Sequence, residues 1–345
     1  TENILEVTVE KIVAEGLALA RVDRNVIFLD GGYPGEEVRV RITKRKRNYL
    51  EGTVIDVIGN RHAGRIDSPC PHYGVCGGCR FIDIDYRSRL SFKEEILKEA
   101  LVKIGKINLD DVIFNPIVAS PKIFRHRNKM EFAFGANESG ELILGLRRPG
   151  NFRDVIETTD CLLLPEDSND FMVKLTEDLR NTELKPFNSY TNLGDLKYLT
   201  LRFNEKYEFI AYITVADENS GDTVTAVLDS LKKDFDRLVG YGYFVNSSSG
   251  SRAQGDSVTL YGDGYLRQHA RGITFDVSPE SFFQTNIYCN PLLMAEVEHH
   301  TGSGDLLWDL FSGTGTLSLP LAHLFSNVYG VELNEAAVKN AEVNA

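Results

Sequence analysis

LLWDLFSGTGTLSLPLAHLF, residues 306–325, followed by NVYGVELNEAAVKNAEVN, residues 327–344, decides the fold class of this chain. An apolar run leads to Asp309, a turn follows with Gly313 and Gly315, and an apolar helix takes up the chain. A second strand then ends at Glu332 and a second helix begins. Strand, glycine turn, helix, strand and helix form the opening of a doubly wound parallel sheet. In such a sheet the acid that closes the second strand receives ribose hydroxyls. A dinucleotide fingerprint needs a third Gly or Ala where this chain has Ser318, so that the helix can approach a pyrophosphate. Asp309, Gly313, Gly315 and Glu332 therefore suit an adenosine without phosphates, which describes S-adenosylmethionine (SAM). The bland alternative is an ordinary strand-to-helix turn with Ser312 as a cap, and the surrounding pattern argues against it.

Two parallel strands with apolar faces and an open edge do not bury themselves. The sequence therefore reads as the N-terminal part of a longer doubly wound domain, truncated at Ala345 inside the second helix.

Upstream lies a cysteine constellation. Cys70, Cys76 and Cys79 fall within CPHYGVCGGCR, and Cys161 follows in TTDCLLL. The Cys-x5-Cys-x2-Cys spacing with Gly77 and Gly78 makes a loop that can aim three thiolates at one point, with the fourth closing the shell. An iron-sulfur cluster is the expectation, and a four-thiolate zinc site is its rival. A zinc ribbon contributes two short Cys-x2-Cys pairs, and this chain has one. Cys289, among apolar neighbours, reads as a small buried hydrophobe.

The chain has 345 residues, enough for two or three domains, and a net charge of -12. There is no charged-then-apolar leader and no apolar run long enough to span a bilayer. Odd, clustered cysteines suit reduced thiolates, so a cytoplasmic location away from membranes is expected. Net charge alone disfavours nucleic acid, but local patches bind phosphate. RVRITKRKR at 39–47 carries six basic side chains and no acid, with Lys44, Arg45, Lys46 and Arg47 at its end. FRHRNKM at 124–130 adds Arg125, Arg127 and Lys129. Several basic runs in one acidic chain point to RNA, where a single run would read as a solvated surface.

Residues 1–60 break into five short alternating segments: ILEVTVEKIV, LALARV, NVIFL, EEVRVRITK and YLEGTVIDVI. This spacing predicts a small closed barrel of the kind that binds single strands. The GG-x-PGE turn at 31–36 gives it a resemblance to the TRAM domain, an RNA-binding barrel. Next, RLSFKEEILKEALVKIG predicts a helix over 88–105, with a stripe of Leu90, Ile96, Leu97, Ala100, Leu101 and Ile104, that packs on the doubly wound domain. Residues 61–275 otherwise mix strands (KMEFAFG, ELILGLR, YLTLRF, EFIAYITV) with one clear helix, TVTAVLDSLKKDF, as a central α+β domain. The doubly wound part covers 276–345.

The four cysteines, RNKMEFAFG, SPESFFQTN, DLFSGTGTLS and GVELN together resemble the RNA (uracil-5-)-methyltransferase family, in its iron-sulfur, TRAM-bearing branch. The resemblance runs over nearly the whole chain. It implies a 4Fe-4S cluster on Cys70, Cys76, Cys79 and Cys161, acting as a clasp or RNA-shaping element. It also implies a methyl donor contacted by Gln284, Phe311, Thr316 and Glu332. The implied activity is SAM-dependent methylation of uridine C5 in structured RNA through a covalent C6 adduct. Ribosomal 23S RNA is the favoured substrate and transfer RNA the other choice. The family's nucleophilic cysteine and general base are expected beyond Ala345, so no catalytic residue is assigned and the chain alone is expected to be inactive. No protein partner is implied. A non-catalytic RNA-binding module with an iron-sulfur or zinc site is the alternative from a different class.

Overall fold

The computed structural model describes residues 4–250, 252–255 and 257–345, which form two compact units. The first comprises Thr1–Tyr73 and Gly78–Ala119, the second Gly74–Gly77 and Ser120–Ala345. No helix among the described residues is long and apolar enough to cross a membrane.

In the first unit five strands close a barrel: β1 (Ile4–Ile12), β2 (Ala18–Val22), β3 (Asn25–Asp30), β4 (Glu37–Arg45) and β5 (Tyr49–Val57), in the order β1-β2-β3-β5-β4. Alternation along each strand turns Val7, Val9, Ile27, Leu29, Val38 and Val40 inward and charged neighbours outward. The turn before β4 needs its glycines. Gly31, Gly32 and Gly35 all have positive φ, and a Cβ on Gly32 would meet Val9 at 3.0 Å.

That turn delivers Glu36 into the interior, fully buried. Its carboxylate accepts the backbone N–H of Tyr33 and of His62 at 2.9 Å, and Arg65 grips both oxygens at 2.5 and 2.8 Å. Burial by itself raises the Glu36 pKa, but the Arg65 bonds and the two N–H groups outweigh it and hold the carboxyl below its ordinary value. Arg65 also reaches Asp83 at 2.6 Å, and Asp83 accepts the hydroxyls of Tyr33 and Tyr73. The network fastens His62, Arg65, Tyr73 and Asp83 to the barrel.

Asp85 caps helix α1 (Tyr86–Lys103) by accepting the N–H of Ser88 at 2.9 Å. The buried face of α1 differs from the expected stripe. Phe92 and Ile96, one turn apart, pack on the barrel core, with the Phe92 ring stacked on Tyr33 at 5.9 Å. Leu97 and Ile104 are exposed. The stripe counted leucines and passed over the single aromatic, which carries most of the burial.

The second unit is built on a seven-stranded sheet. Its elements are β6 (Lys129–Ala136), β7 (Leu142–Arg148), β8 (Asn151–Glu157), α2 (Asp167–Arg180), β9 (Leu196–Phe203), β10 (Phe209–Val215), α3 (Gly221–Asp234), β11 (Leu238–Val245) and β12 (Ser257–Gly262). The strand order is β12-β11-β10-β9-β6-β7-β8, and of its pairs β10 and β11 run parallel while the others are antiparallel. Helices α2 and α3 cover one face, setting Phe171, Leu175, Leu179, Val224, Leu228 and Leu231 against Phe132, Leu199, Leu201 and Phe209. Every residue of β9 and β10 is buried. Two strands covered on both faces make a rigid platform.

The chain continues through the hairpin β13 (Leu266–Ala270) and β14 (Ile273–Val277), then α4 (Asn290–His300), β15 (Gly304–Leu310), α5 (Ser318–Leu321), β16 (Phe325–Val331) and α6 (Glu335–Asn344). β15 and β16 pair in parallel, Leu307 opposite Val328 and Asp309 opposite Gly330.

The cysteine expectation is corrected by this arrangement. Among the described residues no group of three or more Cys, His, Asp or Glu is placed to hold a metal ion. Cys161 is 6% exposed and belongs to the apolar core beneath the sheet, among Leu164, Phe171 and Met172. Cys70 and Cys79 belong to the first unit, Cys76 and Cys161 to the second. No 4Fe-4S or zinc site is thus shown among the described residues, and Cys161 is counted with the apolar core.

Candidate functional site: the glycine turn between β15 and β16

The turn after β15 is shaped by backbone bonds to β16. Phe311 and Ser312 donate their N–H groups to the carbonyl of Val331 at 2.8 and 3.0 Å. Phe311 is held at φ 74, an uncommon conformation for a residue with a side chain, and Gly313 and Gly315 follow at φ 56 and 81. A Cβ at Gly313 would meet nothing within 4 Å, whereas one at Gly315 would strike Leu319 at 2.8 Å. Gly313 therefore faces open space and Gly315 lets the next helix close in.

Glu332 is the centre of the site. Its Oε2 accepts the N–H of Gly313 at 2.9 Å, and its Oε1 accepts the N–H groups of Leu333 and Asn334 at 2.8 Å. The Asn334 N–H, then those of Gly313 and Leu333, hold its carboxyl below the usual glutamate range against a smaller opposing effect of burial. Beside it Phe311 and Leu333 are 92% and 96% exposed. Asp309 Oδ2 and Thr314 Oγ1, by contrast, are buried without a hydrogen-bond partner among the described residues. An ionised acceptor with lone pairs to spare, two uncovered apolar side chains and an open glycine fit the ribose diol and adenine of SAM.

The expected donor contacts Phe311, Gly313, Gly315, Thr316 and Glu332 all gather at this one turn. Gln284 reaches its vicinity by another route. Phe283, the residue before it, is buried in a cluster that includes Leu317 and Leu319. Its own carbonyl accepts Asn128 Nδ2 at 3.0 Å, and the N–H of Asn128 bonds the Thr285 carbonyl at 2.8 Å. The segments FRHRNKM and SPESFFQTN are thus stitched together through Asn128, which is fully buried. A second anchor comes from α6, where Asn340 Oδ1 accepts from Ser278 N, Ser278 Oγ and Ser281 Oγ at 3.0, 2.9 and 2.8 Å. Sequence reasoning missed Asn128, Asn340 and Leu333. The first two carried no signal, since Asn128 sits between Arg127 and Lys129 and Asn340 follows Lys339, although a buried amide must find partners.

The two basic groups differ. Lys44, Arg45, Lys46 and Arg47 are exposed at the end of β4 and in the following turn, with Lys44 3.4 Å from Glu51. Arg125 instead donates to the carbonyls of Cys161 and Leu164 at 2.7 and 2.9 Å and faces Asp160 and Glu166. Arg127 donates to the Lys129 carbonyl, and Lys129 lies 2.9 Å from Glu131.

Comparison with known proteins adds to this geometry. The TRAM domain model matches residues 3–55. An uncharacterized RNA methyltransferase of Caldanaerobacter subterraneus subsp. tengcongensis is 32% identical over 99% of this chain and 76% of its own length. One from Nitratidesulfovibrio vulgaris is 31% identical over 99% of this chain and 73% of its own. The crystal structure of Pyrococcus abyssi tRNA (uracil-54, C5)-methyltransferase in complex with S-adenosyl-L-homocysteine superposes with a TM-score of 0.75 at 23% identity, covering 98% of this chain and 75% of that one. The matches run over nearly the whole of this chain, and the chain spans about three quarters of the length of these relatives. With the TRAM match at one end and methyltransferase relatives along its length, the chain belongs to the family of TRAM-bearing RNA methyltransferases.

Proposed function

We propose that this protein transfers a methyl group from SAM to C5 of a uridine in structured RNA. The observation that carries the reading is the Glu332 carboxylate, pre-ordered by three backbone N–H groups at the ends of two parallel strands. Glu332 would receive the ribose hydroxyls, and Phe311 and Leu333 would flank the adenine. Gly313 and Gly315 would admit the donor closely, and Thr316 and Gln284 would complete its surroundings. SAM supplies an electrophilic methyl sulfonium. The remaining chemistry follows from uracil, whose C5 becomes a nucleophile only after a thiolate adds to C6, with loss of the C5 proton to a base restoring the ring. No residue of this chain is assigned either of those roles.

The uridine must leave its stack to bring C5 to the donor's methyl group, so the RNA is gripped on its backbone and unpaired bases. The barrel supports that role, with Lys44, Arg45, Lys46 and Arg47 at its rim offering phosphate contacts. Arg125, Arg127 and Lys129 are placed second, since the fold already engages them. Ribosomal RNA remains the first substrate class in this reading. Transfer RNA is the second, being the substrate named for the Pyrococcus abyssi enzyme.

Calorimetric titration with SAM tests the site. One SAM per chain is expected, with Phe311→Ala weakening it, and an absence of binding by the unaltered protein overturns the reading.

A further inference from the structure

A cavity of about 360 Å³ opens on the second unit's sheet, away from the glycine turn. It lies among β6, β7, β8 and β9 and the loops 186–190 and 249–250. Nearby, Ala133, Tyr198 and Ala253 form a small apolar cluster separate from the core under α2 and α3. Its volume falls in the range of about 300–1,000 Å³ typical of ligand pockets.

The lining pairs cations with aromatic rings three times over. The Arg153 guanidinium lies 3.6 Å from the Tyr190 ring centroid. Arg147 donates to the Tyr198 hydroxyl at 2.7 Å and overhangs its ring. Lys197 Nζ sits 4.1 Å from the centre of Phe187. No Asp or Glu among the described residues lines the cavity, although the chain carries a net charge of -12.

Lys197 is the most telling of these. It is 4% exposed, and its ammonium donates to the carbonyls of Asn246 and Ser248. Burial pushes its pKa down. A cation taken out of water and held by neutral carbonyls is costly to keep, and an arriving anion offsets that cost. The aromatic pairs select what the anion is attached to. A guanidinium plane backed by a tyrosine ring is a stacking platform for a planar base, as in single-stranded RNA recognition.

We propose that this pocket seats one unpaired nucleotide of the RNA substrate, its base on the Arg153–Tyr190 stack and its phosphate toward Lys197 and Arg147. The inference rests on the RNA substrate proposed above and adds a binding point on the second unit. A nucleotide held there fixes the register of the RNA on the rigid sheet while a different uridine reaches the donor.

The test uses the full chain and a short oligouridylate carrying 4-thiouridine, crosslinked by near-ultraviolet light and mapped by peptide mass spectrometry. Crosslinks within 186–198 or 147–155 are expected. In parallel, Arg153→Ala combined with Tyr190→Ala should raise the oligonucleotide Kd roughly 10-fold and leave SAM affinity unchanged. Lys197→Met should make the slope of log K against log salt shallower by about 0.7. Crosslinks confined to the barrel, with Kd unchanged in the double variant, overturn the pocket and leave the proposed function standing. Uridine monophosphate protecting Lys197 from acylation while the oligonucleotide leaves no crosslink overturns RNA as the ligand. An unaltered protein that binds no oligonucleotide overturns both the pocket and the RNA substrate.

Discussion

At the scale of single residues, two glutamates do opposite work with similar surroundings. Glu332 accepts three backbone N–H groups at the strand ends and keeps capacity for a ligand. Glu332→Gln removes the charge and turns an amide NH2 toward an N–H donor, so calorimetry should show SAM binding weakened by roughly 10- to 100-fold, as expected for one or two charge-assisted bonds. Because its carboxyl is held below the ordinary glutamate value, it stays ionised as pH falls. SAM affinity should therefore be flat from about pH 8 to pH 5 and fall only below the usual glutamate range. Glu36, in contrast, has spent its capacity on Arg65, Tyr33 and His62. Glu36→Ala leaves the Arg65 guanidinium with Asp83 as its one remaining carboxylate in the network and strips two N–H groups of their acceptor, and urea unfolding followed by far-ultraviolet circular dichroism should show a loss of about 3 kcal/mol. Its folded pKa is depressed, so its contribution is complete above the unfolded pKa and is lost as pH drops through the lower folded value.

At the scale of elements, α6 is the brace of the donor loop. Asn340 ties it to Ser278 and Ser281, and Asn344 ties it to Asp276 and to the Thr314 carbonyl at 3.1 Å. Asn340→Ala should cost about 1–3 kcal/mol by leaving the Ser278 N–H without its acceptor and the Ser278 and Ser281 hydroxyls with only each other, 2.8 Å apart. Hydrogen exchange at the Ser278 amide should speed up, while the barrel amides stay as they were. The barrel strands were legible because each buries one face, so alternation reports them directly, and β10 showed as a nearly unbroken apolar run. Helix α2 was missed although Phe171, Met172, Leu175 and Leu179 mark its buried face. It has no side-chain cap to announce its start. The face of α1 was misread for a different reason, since its pattern alone does not say that Phe92 will stack on Tyr33. The cysteine spacing misled in the same way, because chain proximity of three thiols says nothing of where Cys161 lies once the core closes on it.

At the scale of the molecule, an acidic protein that handles RNA must concentrate its positive charge. The exposed run Lys44 to Arg47 does so on the barrel. Replacing Lys46 and Arg47 with alanine should weaken RNA binding at low salt and flatten its salt dependence by about 0.7 for each phosphate no longer neutralised, without moving SAM affinity. The glycine turn was legible at this scale because positive φ at Gly313 and Gly315 and an acid at the next strand end are a joint demand of the doubly wound fold. What the sequence hid was the stitching by Asn128 and Asn340, because a hydrogen bond between residues far apart in the chain leaves no periodic trace.

The most direct test of the central claim is nucleoside analysis of unmodified ribosomal and transfer RNA after incubation with the protein and methyl-labelled SAM. Label appearing in 5-methyluridine, and lost with Glu332→Gln, is the predicted result. Label in any other nucleoside, or none in either RNA from a protein that binds SAM, would contradict it.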